Sequence, residues 1–365
     1  MLASGVDKIG RMYEAVSRNV EMNARMFLST TNNILFLKFH VFPVNSPSPF
    51  PTAALVILRD IAHLLTVSPD NVLPSRAKTG VSLPDPLSFP ESAGATAQDD
   101  APPMSVPTFD LSGRSYLVTG GTQGMGLVIS ACIAKAGARA VTISSRTQDT
   151  GDRAVARLIE LVPTCQFHFV RADVSTEEDC SRLAAEADRL MDGVDGLVNC
   201  AAWTARATLD STTADVWDLM MNTNVRGPFL LVQAISQSLR SKGRPGSIVN
   251  ISSVAAHGGI PKVSTYSVSK AALNALTKIN AYELRSARIR VNAINVGWTL
   301  TDSEHLIQRV EMESDTWIEE ADKGHPMGRL LRPVDIASTV GHLLSDASAM
   351  ITGTIVDLHP ELVSN

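Results

Sequence analysis

From residue 114 onward the chain repeats one pattern: a short continuous apolar run, a turn, then a longer stretch with apolar residues at helical spacing. RSYLVT at 114–119 reads as a buried strand feeding a small-residue helix, GLVISACIAKAG at 126–137. RAVTISS at 139–145 is the second strand, a helix follows near 150–162, and QFHFVRADV at 166–174 holds the third strand. Ser175 and Glu178 have the spacing of a capping box, which predicts a helix from there through Leu190. GLVNCA at 196–201, a long helix over 215–241 and SIVNISS at 247–253 come next. A helix from Tyr266 to Arg285, the strand RIRVNAIN at 288–295 and a late strand in GTIVDL at 353–358 complete the series. Strands that are apolar throughout, each separated from the next by a helix, predict a mostly parallel sheet buried on both faces. The expected fold is a doubly wound, Rossmann-type α/β domain.

The pattern changes before residue 107. ILFLKFHVFPV at 34–44 and AALVILRDIAHLLTV at 53–67 are apolar but short, and Lys38, Arg59 and Asp60 interrupt them, which argues against a membrane-spanning helix. Residues 83–107 are rich in proline, serine and alanine and offer little apolar surface to offset the ordering of their backbone. The expected division is therefore an N-terminal extension with a proline-rich linker over 1–106, poorly ordered, and a Rossmann domain over 107–365. Translation from Met104 would yield the domain without the extension. Lys8, Arg11, Arg18 and Arg25 give the opening segment some character of a mitochondrial presequence, but Asp7, Glu14 and Glu21 break it. A cytoplasmic setting is the expectation, with mitochondrial import as the alternative. A structural role for the extension, such as surface attachment to a membrane through 53–67, lacks the basic face it would need.

With 365 residues and a net charge of -5, the chain carries no basic stripe, so a nucleic-acid partner is not expected. Cys132, Cys165, Cys180 and Cys200 are too widely spaced for a zinc cluster and give no disulfide framework.

Candidate chemistry begins at TGGTQGMG, 119–126, directly after the first strand. Gly120 can make the tight turn, while Gly124 and Gly126 let backbone approach a pyrophosphate and the sheet. The helix that follows offers unpaired N–H groups and the positive end of its dipole to phosphate oxygens. The spacing is Gly-x-x-x-Gly-x-Gly, distinct from the dinucleotide fingerprint Gly-x-Gly-x-x-Gly. At the end of the second strand stand Ser144, Ser145 and Arg146 where an acid would bind a ribose 2′-hydroxyl, so a 2′-phosphate, and hence NADP(H) over NAD(H), is favoured. Asp173 follows the third strand, where it could meet the adenine or simply start a helix.

Tyr266 and Lys270 lie one helical turn apart in TYSVSK, and Ser253 ends the strand before them. Hydride transfer to a carbonyl leaves charge on oxygen, so a proton donor beside that atom is required. Tyrosine, with an ordinary pKa of about 10, can serve if a neighbouring ammonium lowers the cost of its phenolate. Lys270 is placed for that and for holding a nicotinamide ribose, and Ser253 for donating to the substrate oxygen.

Over 107–358 the chain resembles the short-chain dehydrogenase/reductase family, classical type: TGGTQGMG matches its glycine turn, ISS with YSVSK its catalytic segment, and NTNVRG its asparagine region. The resemblance implies a catalytic set of Ser253, Tyr266, Lys270 and Asn224, the last holding a water that links Lys270 to solvent. It implies a cofactor cradle of Gly120, Thr122, Gln123, Gly124, Met125, Gly126, Ser145, Arg146, Asp173, Val174, Asn199, Ala201, Tyr266, Lys270, Gly297, Thr299 and Thr301. It also implies no metal, and a homodimer or homotetramer joined by the helices near 215–241 and 266–285. The chain departs from the family pattern at Cys200 and Ala202 in NCAA, at Val296 in NVGWTLT, and at Leu358 and His359 after Asp357.

Residues 298–328, with Trp298, Leu306, Ile307, Val310, Trp317, Ile318 and Met327, are expected to form a helical lid over the substrate. His257 and Trp203 are candidate pocket residues. With no arginine clamp in view, the expected substrate is a small neutral ketone, sugar or polyol. The alternatives are a 3-oxoacyl thioester, and a nucleotide-binding regulatory protein with a silent site.

Overall fold

The computed structural model describes residues 24–31, 34–41, 85, 87, 109–260, 262–312, 314 and 316–359. Contacts divide the chain into two units, residues 1–81 and 82–365. In the first, β1 (Ala24–Thr31) and β2 (Ile34–Val41) pair as an antiparallel hairpin, so the apolar stretch at 34–44 supplies a strand. The segment at 53–67, the presequence residues other than Arg25 in β1, and most of the linker lie outside the described residues. Among the described residues no helix is long and apolar enough to cross a membrane.

The second unit is built on seven strands: β3 (Ser115–Thr119), β4 (Ala140–Ser145), β5 (Gln166–Arg171), β6 (Gly196–Asn199), β7 (Gly246–Ser253), β8 (Ile289–Val296) and β9 (Ile355–Leu358). Every pairing is parallel and the order is β5-β4-β3-β6-β7-β8-β9, the expected doubly wound sheet. Strand alternation divides the core in two. Tyr116 and Val118 enter one layer with α1 (Gly124–Lys135), α2 (Gln148–Leu161) and α9 (Pro333–Leu344). Leu117 enters the other with α3 (Glu177–Leu190), α5 (Gly227–Ser241) and α6 (Ser264–Leu284). Chain order reverses between β3 and β6, which opens a crevice at the carboxyl ends of these strands.

Three details correct the sequence reading. The first helix starts at Gly124, not Gly126. Ser175 does not cap α3: its N–H and hydroxyl both donate to Asp173 Oδ1, at 3.0 and 2.7 Å. With that hydroxyl used as a donor, Thr176 is the cap, accepting from the Asp179 N–H. The long helix over 215–241 is interrupted: α4 (Ala214–Met221) passes into a π turn at Asn222–Arg226 before α5. Pro228 has no N–H for the carbonyl of Asn224 four residues earlier, so the α ladder cannot run through this point.

The Rossmann unit reaches into the proline-rich segment. Leu87 is 5 % exposed and belongs to the core layer under α1 and α2. Asp85 pairs with Arg157 on α2. Deleting 1–81 is therefore expected to leave a cooperatively folding domain, whereas deleting 1–103 removes the Leu87 plug and should cost about 1.5–3 kcal/mol more. Urea unfolding of the two truncations measures the difference; equal midpoints would reject a structural role for Leu87.

Candidate active site

The crevice is a cavity of about 500 Å³ at the carboxyl ends of β3, β4, β6, β7 and β8. Its floor is the turn after β3. Gly120 has φ +66, and a Cβ there would stand 2.9 Å from the Cα of Ala201. At Gly126 a Cβ would lie 2.2 Å from the Gly120 carbonyl oxygen, so this glycine closes helix onto turn. Gln123 is the N-cap of α1 but makes no side-chain cap bond, and the first turn holds no acid. The amide groups that open α1 are thus left for an anion. Ser144 lines the same cavity, is 1 % exposed and has no hydrogen-bond partner for its hydroxyl. An uncapped helix start, a floor that admits no Cβ and an orphaned buried hydroxyl fit a bound dinucleotide.

Thr122, Gln123, Gly124, Met125, Ser145, Arg146, Asp173, Val174, Ala201, Gly297, Thr299 and Thr301 also line the cavity. Several are already engaged within the protein. Asp173 accepts both donors of Ser175, Thr299 donates to the Gly297 carbonyl at 3.0 Å, and Thr301 caps the helix α7 (Asp302–Glu311). Asn199 does not reach the cavity wall. It is 2 % exposed and donates to Asn250 Oδ1 at 2.8 Å, while Asn250 donates to Thr277 on α6, so it ties sheet to helix.

Ser253, Tyr266 and Lys270 converge on this cavity from the end of β7 and the first turns of α6. Lys270 is 2 % exposed, donates to the Ile251 carbonyl at 2.7 Å, and has its Nζ 5.6 Å from the centre of the Tyr266 ring. Burial pushes the Tyr266 phenol up to about 12, and hydrogen bonding to Ser253 works against that. Burial lowers Lys270 to about 8. The group opposing the rise of Tyr266 is therefore Ser253, where the sequence pointed to Lys270.

Asn224 is 1 % exposed and its side chain clamps Trp203: Oδ1 accepts from the Trp203 N–H at 2.8 Å and Nδ2 donates to the Trp203 carbonyl at 2.9 Å. Nδ2 also donates to Ser269 at 3.0 Å. The side chain thus fixes the loop after β6.

Of the two pocket candidates, Trp203 lines the cavity. His257 does not: its Nε2 lies 2.9 Å from Asp357 Oδ1, and Asp357 also accepts from Asn295, tying the segment after Ser253 to β9. The expected lid is two helices with different roles. α7 faces the cavity through Ser303, Glu304 and Ile307. The other helix, α8 (Trp317–Gly324), buries Trp317 with Leu300 and Leu330 in a separate small core. Leu306 and Met327 remain exposed.

Two charged wall residues escaped the sequence reading. Glu304 Oε1 accepts from Trp298 Nε1 at 2.9 Å, Gln308 Nε2 at 2.7 Å and Arg206 Nη2 at 3.4 Å. Arg206 also pairs with Glu311. Arg206 and Glu304 are 98 residues apart, and no local spacing could have joined them.

Residues 120–358 match a family model described as enoyl-(acyl carrier protein) reductase. The chain is 35% identical over 251 residues to human dehydrogenase/reductase SDR family member 4, covering 67% of this chain and 86% of that protein. It is 33% identical over 251 residues to bovine L-xylulose reductase, covering 67% of this chain and 95% of the relative. A short-chain type dehydrogenase/reductase from Mycobacterium ulcerans superimposes with a TM-score of 0.63 at 27% identity, covering 68% of this chain and 89% of that one. Coverage begins at the glycine turn and extends past the Ser253, Tyr266 and Lys270 cluster to β9, and the family implies a nicotinamide cofactor. This chain is an alcohol–carbonyl oxidoreductase of the short-chain dehydrogenase/reductase family.

Proposed function

We propose that the protein interconverts a small neutral, hydroxyl-bearing ketone or sugar and the corresponding secondary alcohol, with NADP(H) as the redox partner. The carrying observation is the convergence of Ser253, Tyr266 and Lys270 on one cavity, where burial pushes the Tyr266 phenol up to about 12. A group held that way is a proton donor at neutral pH. When bound, the nicotinamide cofactor supplies the hydride. Ser253 and Tyr266 orient the substrate oxygen by hydrogen bonds, and Tyr266 gives its proton to that oxygen as negative charge develops. Lys270, near 8 and one helical turn below, regains or loses a proton readily and is the next member of the relay. The Asn224 carbonyl, without the N–H that Pro228 lacks, is the acceptor proposed to hold a water between Lys270 and solvent.

The adenosine end of the cavity supports the choice of NADP(H). Ser144, Ser145 and the exposed Arg146 stand there with no acid at the end of β4. Arg146→Asp is expected to weaken NADPH binding about 10–100-fold, the loss of one or two charge-assisted hydrogen bonds, with a much smaller effect on NADH. Fluorescence titration of both cofactors checks this, and equal losses would defeat the assignment.

For the substrate, bovine L-xylulose reductase acts, by its name, on a sugar. The cavity wall supports a similar class. Glu304 is locked by three donors on Oε1 and meets no partner on Oε2 among the described residues, leaving an acceptor for a substrate hydroxyl. Trp298 and Trp203 provide aromatic faces, and Arg206 is neutralised by Glu304 and Glu311. An acyl thioester, the substrate type of the matched family model's description, would find Arg206 already committed to two carboxylates. Monitoring NADPH absorbance with ketones, ketoses and 3-oxoacyl thioesters tests the reading, and turnover confined to thioesters would replace it.

Exposed apolar residues on the expected interface helices, Phe229 on α5 with Val268, Ile279 and Tyr282 on α6, support a homodimer or homotetramer. The four free thiols agree with a cytoplasmic setting.

A further inference from the structure

A second cavity, of about 510 Å³, opens at the opposite edge of the sheet, where β3, β6, β7 and β8 begin. Its lining contains four arginines, Arg114, Arg285, Arg288 and Arg290, against two aspartates, in a chain whose net charge is -5. Both acids are already paired, Asp346 with Arg114 and Asp195 with Arg244. Arg290 donates only to neutral acceptors, the Leu343, Leu344, Ser345 and Ile351 carbonyls and the Ser348 hydroxyl. Arg285 and Arg288 meet no carboxylate among the described residues; Arg285 lies on the Tyr282 ring and bonds its carbonyl, and Arg288 makes one long bond to the Gly243 carbonyl.

An independent feature points into the same cavity. Tyr116 is 1 % exposed and lines it; the Arg114 guanidinium stands beside its oxygen, while its own hydroxyl proton has no acceptor. A buried donor without an acceptor costs free energy that a ligand acceptor would recover. Arg288 adds to this: it holds φ 59 after α6, a left-handed conformation that favours glycine, yet the chain places a guanidinium there.

We propose that this cavity binds an organic phosphate monoester, with Arg285 and Arg288 gripping the phosphoryl oxygens and the Tyr116 hydroxyl donating to the same group. Guanidinium forks match phosphoryl geometry, and phenol is a donor to a fixed acceptor. The volume exceeds what inorganic phosphate fills, and Ile289, Leu344 and Met350 give the remaining wall an apolar character suited to the ester's organic part. The site lies at the strand N-termini, on the edge of the sheet away from the nucleotide crevice at their carboxyl ends.

Calorimetric titration with phenyl phosphate and with inorganic phosphate, on the full chain saturated with NADPH, tests the site. Arg288→Gly suits the left-handed backbone and should fold at least as well as the native chain. Tyr116→Phe removes a hydroxyl whose proton has no acceptor and should not lower the melting temperature. The expected result is one site per chain preferring phenyl phosphate, weakened about tenfold by Arg288→Gly and several-fold by Tyr116→Phe, and unchanged by Arg146→Asp. Carbonyl reduction by Arg288→Gly should match the native rate. Native affinity in Arg288→Gly, or loss of binding in Arg146→Asp, would overturn the proposal, the latter by placing the anion in the nucleotide crevice. Equal affinity for both phosphates would reject the organic ester, and no saturable binding would reject the site.

Discussion

Tyr266→Phe is expected to lower the rate of carbonyl reduction by about 10²–10⁴-fold while leaving NADPH affinity within a few-fold of native. The change removes one oxygen and keeps the ring over which Lys270 is poised, so the helix and the cavity floor are untouched. What is lost is the only phenolic proton at the cavity among the residues that line it. Ser253 and the backbone still orient the substrate, which is why a residual rate should persist. Steady-state turnover with cofactor titration in the same preparation separates chemistry from binding, and a variant turning over at the native rate would remove Tyr266 from the mechanism.

A second large effect concerns stability. Lys270 titrates near 8 when folded because burial penalises its ammonium, against an ordinary value of 10.5. Between pH 8 and 10.5 the unfolded chain therefore binds a proton that the folded chain has shed, and stability rises with pH across that window. The size follows from the shift, about 3 kcal/mol in full. Tyr266 works in the opposite direction: with its pKa raised to about 12, it costs stability only as pH climbs above 10. Lys270→Met should consequently lack the gain seen in the native protein between pH 7.5 and 10, and should lose activity at every pH. Urea unfolding across that range reads the difference between the two chains, in which the other titrating groups cancel. Parallel curves would mean that Lys270 keeps its charge at ordinary pKa inside the fold.

The order of elements was legible because a parallel sheet buried on both faces needs uninterrupted apolar strands, and those runs stand out between amphipathic helices. SYLVT and IRVNAINV became strands close to where the runs suggested. Boundaries set by competition among neighbours were not legible. Asp173 draws the hydroxyl of Ser175 away from the cap, and Pro228 disrupts a helix that apolar periodicity alone extends from 215 to 241. The chemical cluster was readable since Tyr266 and Lys270 sit on one helical face, and Ser253 ends the preceding strand.

By itself the sequence determined the architecture, the glycine turn after the first strand and the candidate cluster of Ser253, Tyr266 and Lys270, because each depends on local spacing or on a glycine where no side chain fits. Tertiary structure alone decided the environment of those groups. It buried Lys270 and Tyr266 together, committed the Asn224 side chain to Trp203, and withdrew Asn199 into the sheet. It also brought Glu304 to Arg206 and gathered four arginines at the far edge of the sheet. Desolvation and pairing across a hundred residues are properties of packed space, and a linear pattern carries neither.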